Sequence, residues 1–494
     1  MESRVFNRKN LLGFSMIVLF YHLAMTIIPW FIYSWPMFIA DYILLGLTSA
    51  GWLLYFGWQR RTIRLQPAIL ILLGFLIWLL VSCIVMTIRW DNDWVGYNFI
   101  PTIASPTSPG FNAAVTILFV FPLGIALARE TDGTVLKLGK GLLHGFLLGW
   151  TVWMAVVLIT VMQGKTMTAP SGGTIGMVNS NLELNCHYNI TGSWEMTFFM
   201  VCCFMALKCK GIPWKGVYGL AAVIHYFALI LSNSRASTFA ALGGFAVLAG
   251  VAVFLVLEKR KVPRSVLLAL AAAVIAAVGF YFMRYPVFSL YGASVNHFTA
   301  PAVSVAADAG NASGADSGAD ASTAADAGNA GVSSGASSGQ DYRIREFAPS
   351  SGSLLSGREE IWKYTVQGLF ADPQVTITGV TPKATRDLFM QASEGRRTDS
   401  YTHNEFLEIA AAMGLPGLLL FLVWLGIIVR DTWRMYFTRK RRTLLLILPV
   451  IFVTLLAANM MEAHLIFCEH LNGYVFFLLG GMIYGAMSQR KRYE

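Results

Sequence analysis

The stretch QRRTIRLQPAILILLGFLIWLLVSCIVMTIR, residues 59–89, decides the architecture of this chain. Its 22 residues from Pro67 to Ile88 carry no charged side chain, while Arg60, Arg61 and Arg64 crowd one end. About 20 mostly apolar residues suffice to cross the hydrocarbon layer as a helix. Lys and Arg are retained on the cytoplasmic side of such a helix. One span and its orientation can therefore be read from a single line of sequence.

Working outward, similar apolar segments recur from Leu11 almost to the C-terminus. We place spans near 11–32, 37–57, 67–88, 111–128, 141–162, 193–208, 216–231, 236–257, 265–284, 413–429, 443–460 and 471–488. The whole composition agrees. Hydrophobic residues make up 56% and charged residues 13% of the chain, against roughly 25% charged in a soluble domain. Mean hydropathy is +0.58. The expectation is an all-α polytopic membrane protein of about twelve helices.

The charges test that count. With the N-terminus inside, 25 of the 37 basic residues fall in every second connection, from Arg4/Arg8/Lys9 to Arg490/Lys491/Arg492. Eight others lie in one long external loop, leaving Arg89, Lys165, Arg235 and Arg284 as external exceptions. Both termini are therefore expected inside. The formal charge of +10 is mostly this orientation signal, with some attraction to anionic membrane lipid, and calls for no nucleic-acid partner. The six cysteines have no metal-ligand spacing; Cys186 and Cys468 fall outside and either pair or remain two free thiols.

Three parts follow: a nine-helix membrane part (1–284), an external loop (285–412) and a three-helix membrane part (413–494). Within the loop, 30 of the 35 residues from Ala306 to Gln340 are Ala, Ser, Gly or Asp, and ADAGNA occurs at 307–312 and 325–330. Such a stretch buries too little apolar surface to offset its ordering entropy, so 306–340 reads as a disordered insertion. Residues 341–412 read as a folded catalytic segment. Ser356-Gly-Arg-Glu359 and Thr402-His-Asn-Glu405 match capping boxes that each open a helix, the second ending near Gly414. Gln374-Val-Thr-Ile-Thr-Gly379 reads as a short strand or extended segment ending in a turn.

Three residues stand out as carriers of chemistry. Arg235 follows Leu231-Ser-Asn-Ser at an external turn, against the orientation bias. A snorkelling interfacial arginine is the bland alternative. Arg358 is expected in the first helical turn, where an anion is favoured at free amides; a surface pair with Glu359 or Glu360 is the alternative. His403 is expected at the first helical position, where the positive helix end holds imidazole neutral and able to accept a proton. The alternative is an isolated surface histidine. Ser232, Ser234, Asn404 and Glu405 are possible supporting groups.

Other polar residues carry less. Glu462, His464, Glu469 and His470 cluster between the last two spans, but in no metal-ligand spacing, and no metal or cofactor is assigned. His22, Asp41, His144, Glu195 and His225 fall within spans, where buried hydrogen bonding explains them, although any of them could line a lipid groove. Asn189-Ile-Thr191 fits a glycosylation acceptor only in its three-residue pattern.

The stretches LSNSRAS (231–237), SGREEIW (356–362), ITGV (377–380) and THNEFLEIAAAMGLPGLLLF (402–421) together resemble the O-antigen ligase/polymerase superfamily. These are bacterial lipid-linked-glycan transferases, including WaaL-like O-antigen ligases and Wzy polymerases. The layout, with its large external loop between spans nine and ten, is similar to the ligases in particular. The resemblance implies a GT-C-type, metal-independent glycosyltransferase of the bacterial inner membrane, working at the external face. It implies an undecaprenyl-diphosphate-linked glycan donor, with Arg235 and Arg358 holding the diphosphate and His403 activating the acceptor hydroxyl. The acceptor is lipid A-core for a ligase, a second lipid-linked glycan or polysaccharide for a polymerase, or a protein hydroxyl for a related O-oligosaccharyltransferase. From another class, the rival is a transporter or flippase. Transporters usually carry internal repeats, and none is found between the halves.

Overall fold

The computed structural model describes residues 8–27, 35–58, 67–89, 109–170, 172–299, 357–396, 401–437, 448–467 and 471–488. The 306–340 insertion, Ser356, Cys468, Glu469 and His470 lie outside them.

Helices α1 (Arg8–Ile27), α2 (Trp35–Trp58) and α3 (Pro67–Arg89) coincide with the first three expected spans. The fourth is interrupted: α4 (Pro109–Val115) passes through a π-helical turn (Thr116–Val120) into α5 (Phe121–Ala128). Then come α6 (Gly133–Met162), α7 (Tyr188–Lys208), α8 (Ile212–Ser232), α9 (Arg235–Lys259) and α10 (Ser265–Thr299). Among the described residues, nine helices are long and apolar enough to cross a membrane. Three shorter apolar helices, Lys9–Met25, Ile39–Tyr55 and Leu448–Asn459, occupy the first, second and eleventh expected places.

Two further features of this first part depart from the sequence reading. Helix α10 does not stop at Arg284 but runs 35 residues to Thr299 with Pro286 inside it. Arg284 is consequently buried, its guanidinium on the hydroxyls of Tyr281 and Tyr285 and over the Tyr281 ring at 4.1 Å. The second is a small antiparallel sheet between α6 and α7, in the order β1 (Met167–Thr168), β2 (Thr174–Val178), β3 (Asn181–Leu184). Its tight turn is Asn179-Ser180, both at positive φ, as a two-residue hairpin loop demands. Ile175, Leu182 and Leu184 bury one face of it.

Beyond residue 356 lie α11 (Arg358–Ala371), α12 (Pro373–Thr378) and α13 (Thr385–Ala392). The expected strand at 374–379 is helix instead. Asp372 accepts from the Gln374 amide and Pro373 occupies the first helical position, a start signal that outweighs the β-branched run after it. The chain ends with α14 (Glu405–Phe437), α15 (Leu448–Asn459) and α16 (Leu471–Ser488).

Gly414 breaks α14, with φ 70° and ψ −177°. The break is needed because Pro416 has no N–H to give the Ala412 carbonyl. Three carbonyls just before the break are satisfied from outside the helix. Val380 N–H donates to Ala411 O at 2.8 Å, Thr381 N–H to Ala412 O at 3.0 Å, and Trp78 Nε1–H to Met413 O at 2.8 Å. A backbone defect in one helix thereby fastens α3 and the 379–381 segment to it.

The five ionisable residues noted within the expected spans, His22, Asp41, His144, Glu195 and His225, are hydrogen-bonded. His22 Nδ1 lies 2.7 Å from Asp41 and its Nε2 2.8 Å from the Tyr474 hydroxyl. His225 Nδ1 lies 2.7 Å from Glu195, which also accepts from Trp150, and His144 meets Tyr218. Asn189 is buried in α7, which does not suit a glycosylation acceptor.

Candidate active site

Five helix starts gather at one end of the bundle. Gly192 near the start of α7 meets the α8–α9 turn so closely that an added Cβ would lie 2.5 Å from Ser234 Cβ and 2.6 Å from Ser232 Oγ. Asn472 at the start of α16 accepts from Thr197 of α7 at 2.7 Å and donates to Ser193. The turn between α15 and α16 is bound to the start of α14, where the Glu405 carboxylate accepts from the amides of Leu465 (2.9 Å) and Ile466 (3.2 Å).

Glu462 is the centre of this end. One carboxylate oxygen accepts from the Arg358 guanidinium at 2.5 Å. The other lies 3.0 Å from His403 Nδ1 and 3.2 Å from the Tyr401 hydroxyl. The Glu462 side chain is 1% exposed, against 16% for both Arg358 and His403. Burial alone would raise its pKa. The His403 hydrogen bond and the nearby positive charge of Arg358 outweigh burial and hold it at about 2. An ionised carboxylate only accepts hydrogen bonds, so His403 presents Nδ1–H to Glu462. In the neutral ring, Nε2 is then left with the lone pair.

Two neighbours complete the cluster. The Tyr401 ring lies 4.2 Å from that of His403 and 5.5 Å from that of His464. His464 is fully buried, and burial, opposed by the charge of Glu462, pushes its pKa down to about 4. Among the smaller contributions is His187, the residue capping α7, which places that cap beside the same turn.

The capping boxes are realised differently from the sequence reading. Asn404, not Thr402, caps α14: its Oδ1 accepts from Phe406 (3.0 Å) and Leu407 (3.1 Å) amides. His403 is therefore not the first helical residue but lies before the cap at φ 53°, in the left-handed region. Glu405 turns away to the 465–466 amides. In α11 the residue before Arg358 is Gly357 at φ 81°, with no side-chain cap. Arg358 pairs with Glu462, 104 residues away in sequence, rather than with the exposed Glu359 or Glu360.

Arg235 is the first residue of α9, half-buried at the same end. Ser232 and Ser234 are buried and shape its turn. Ser232 donates to Leu229 O at 2.7 Å and Ser234 to Ser237 Oγ at 3.0 Å, with Asn233 between them at φ 58°. Thus Arg358 and His403 meet on one carboxylate, and Arg235 belongs to the adjoining turn. Cys186 is half-buried beside Thr191, its thiol pushed up by burial to about 11.

Sequence reasoning undervalued Glu462 and His464 by weighing them only as metal ligands. The one local signal was the cluster of Glu462, His464, Glu469 and His470 in a short connection between spans, which does not mark Glu462 among the four.

Fold and site together define a multi-pass membrane protein whose catalytically capable residues converge at one end of its helices. The family description O-Antigen ligase matches residues 220–422, which take in Arg235, Arg358 and His403. The match covers 203 of the 494 residues and supports the resemblance to the O-antigen ligase/polymerase superfamily. Glu462 lies beyond the matched segment. No curated protein matches the chain.

Proposed function

We propose that this protein is a GT-C-type glycosyltransferase with twelve spans, of the bacterial inner membrane, with both termini cytoplasmic and the Arg358–Glu462–His403 cluster on the external face. Its donor is an undecaprenyl-diphosphate-linked glycan and its acceptor a hydroxyl, lipid A-core in the O-antigen ligase reading. The observation that carries this is the single buried carboxylate shared by an arginine and a histidine.

The step is one displacement at the anomeric carbon. Neutral His403 takes the acceptor proton on Nε2 as the acceptor oxygen bonds to that carbon. The bond from carbon to phosphate oxygen breaks, and the lipid diphosphate leaves with the electron pair. Glu462 orients the ring and stabilises the imidazolium that forms, the role a carboxylate plays behind any histidine base. General-base assistance of this kind contributes about 10²–10⁴-fold.

Arg358 has five N–H donors, so its contact with Glu462 leaves others for the diphosphate. Arg235 adds a second planar fork beside the α9 N-terminus, where the Ser234 side chain does not cap the amides and the helix dipole favours an anion. Stabilisation of a departing phosphate is mainly electrostatic, and the reading assigns no metal to it.

Purified protein in liposomes, given a lipid-diphosphate-linked glycan and no ion gradient, should consume the donor and glycosylate the acceptor. A lengthened lipid-linked glycan would instead indicate a polymerase, and gradient-driven movement without transfer a transporter. Reporter fusions at Gln340 and Gly139 should report external and cytoplasmic, respectively; the reverse pair would put the cluster on the wrong side.

A further inference from the structure

Thr402 and the 460–466 turn are held from one helix. Every polar group of Thr402 is engaged: its N–H (3.0 Å) and Oγ1 (2.8 Å) with the Glu408 carboxylate, and its carbonyl with Trp362 Nε1–H (3.0 Å). The other Glu408 oxygen accepts from Thr385 Oγ1 at 2.6 Å, tying in α13. Three residues before Glu408, Glu405 takes the Leu465 and Ile466 amides. Just before them, Asn404 Nδ2 donates to Met460 O at 2.9 Å. Thr402, Glu405 and Glu408 are all buried.

We infer that Glu405 and Glu408 are positioning residues for the transfer, forming a clasp in the first turn of α14. Glu408 sets the peptide that carries His403, and Glu405 sets the turn that carries Glu462. Neither touches the Arg358–Glu462–His403 cluster in the contacts above, yet the 3.0 Å His403–Glu462 bond joins the two segments they hold. His403 also has a left-handed backbone at φ 53°. Such a conformation is costly for a non-glycine residue and persists only when its surroundings over-determine it. The fully bonded Thr402 peptide does so.

The inference rests on the proposed base role of His403, and the test separates the two. Full-length purified Glu408→Gln, Glu405→Gln, Thr402→Val and Thr402→Ser are assayed with an undecaprenyl-diphosphate-linked glycan, beside His403→Ala. A misplacement of about 1 Å can cost on the order of 10²-fold in rate. Accordingly, kcat should fall about tenfold to 10²-fold in Glu408→Gln, Glu405→Gln and Thr402→Val, with donor KM within about threefold of wild type. Thr402→Ser keeps the hydroxyl and should keep kcat. If His403→Ala is inactive while the three clasp variants turn over normally, the clasp is wrong and the base role stands. Thr402→Ser failing like Thr402→Val would also overturn it, because packing rather than the hydroxyl would then matter. Full kcat in His403→Ala removes the base and with it the clasp's function.

Discussion

His403 Nδ1 lies 3.0 Å from Glu462 Oε2, although 59 residues and two helices separate them in the chain. The contact fixes which imidazole nitrogen faces the substrate side. His403→Ala should therefore lower turnover about 10²–10⁴-fold while donor binding is retained. Glu462→Gln should also lower kcat, since an amide cannot offset the imidazolium charge. Steady-state kcat and donor KM for the two variants check this.

Arginine geometry makes a separate prediction. If Arg235 and Arg358 grip a diphosphate with planar forks, Arg235→Lys and Arg358→Lys should both lose most transfer activity, because a point charge does not reproduce bidentate contact. Arg358→Ala is a poorer probe. It strands the Glu462 carboxylate, and breaking a buried pair costs about 3–5 kcal/mol. Donor titrations with the lysine variants check this; wild-type donor affinity in both would remove the diphosphate site.

Acid should loosen the site in two stages. The Glu462 pKa is lowered from 4.5 to about 2, so its contribution to stability is complete above 4.5 and lost as pH falls towards 2. That of His464 is lowered from 6.5 to about 4. Between those values the unfolded chain binds a proton that the folded one refuses, so stability drains from 6.5 down to 4. Compared with wild type, His464→Gln should lose less of its thermal midpoint as pH is lowered from 7 to 4. The same pH dependence of the midpoint in both proteins would contradict the assignment.

Gly414 should be intolerant of any side chain. Its φ of 70° is in the left-handed region, and an added Cβ would run into the Ile377 carbonyl. With ψ at −177° this is a backbone region essentially reserved for glycine, costing a non-glycine residue about 1–3 kcal/mol. Gly414→Ala should lower both the thermal midpoint and activity. Gly426→Ala in the same helix, where a Cβ meets nothing within 4 Å, should leave both near wild type.

The membrane helices were legible because a run of apolar residues admits few other structures, and the basic clusters marked alternate connections. Helix ends were less so. Gln374–Gly379 looked like a strand from Val375, Thr376, Ile377 and Thr378, whereas Asp372-Pro373 is the local instruction that prevailed. In Thr402–Glu405 the pattern gave the right helix but the wrong cap, since Asn404 outcompeted Thr402, whose groups were claimed by Glu408 and Trp362. Arg358 and His403 were singled out from their places near helix starts. Glu462 was not singled out, because its meaning depends on contacts 59 and 104 residues away that no local pattern encodes.

The most direct test is glycan transfer from an undecaprenyl-diphosphate donor to an acceptor hydroxyl by purified wild-type, His403→Ala, Arg235→Lys and Arg358→Lys proteins in EDTA. The account predicts wild-type turnover undiminished by EDTA, loss of transfer in the arginine variants, and a His403→Ala rate lower by about 10²–10⁴-fold with the donor still bound. Near-wild-type turnover by His403→Ala, or full activity in both arginine variants, would contradict it.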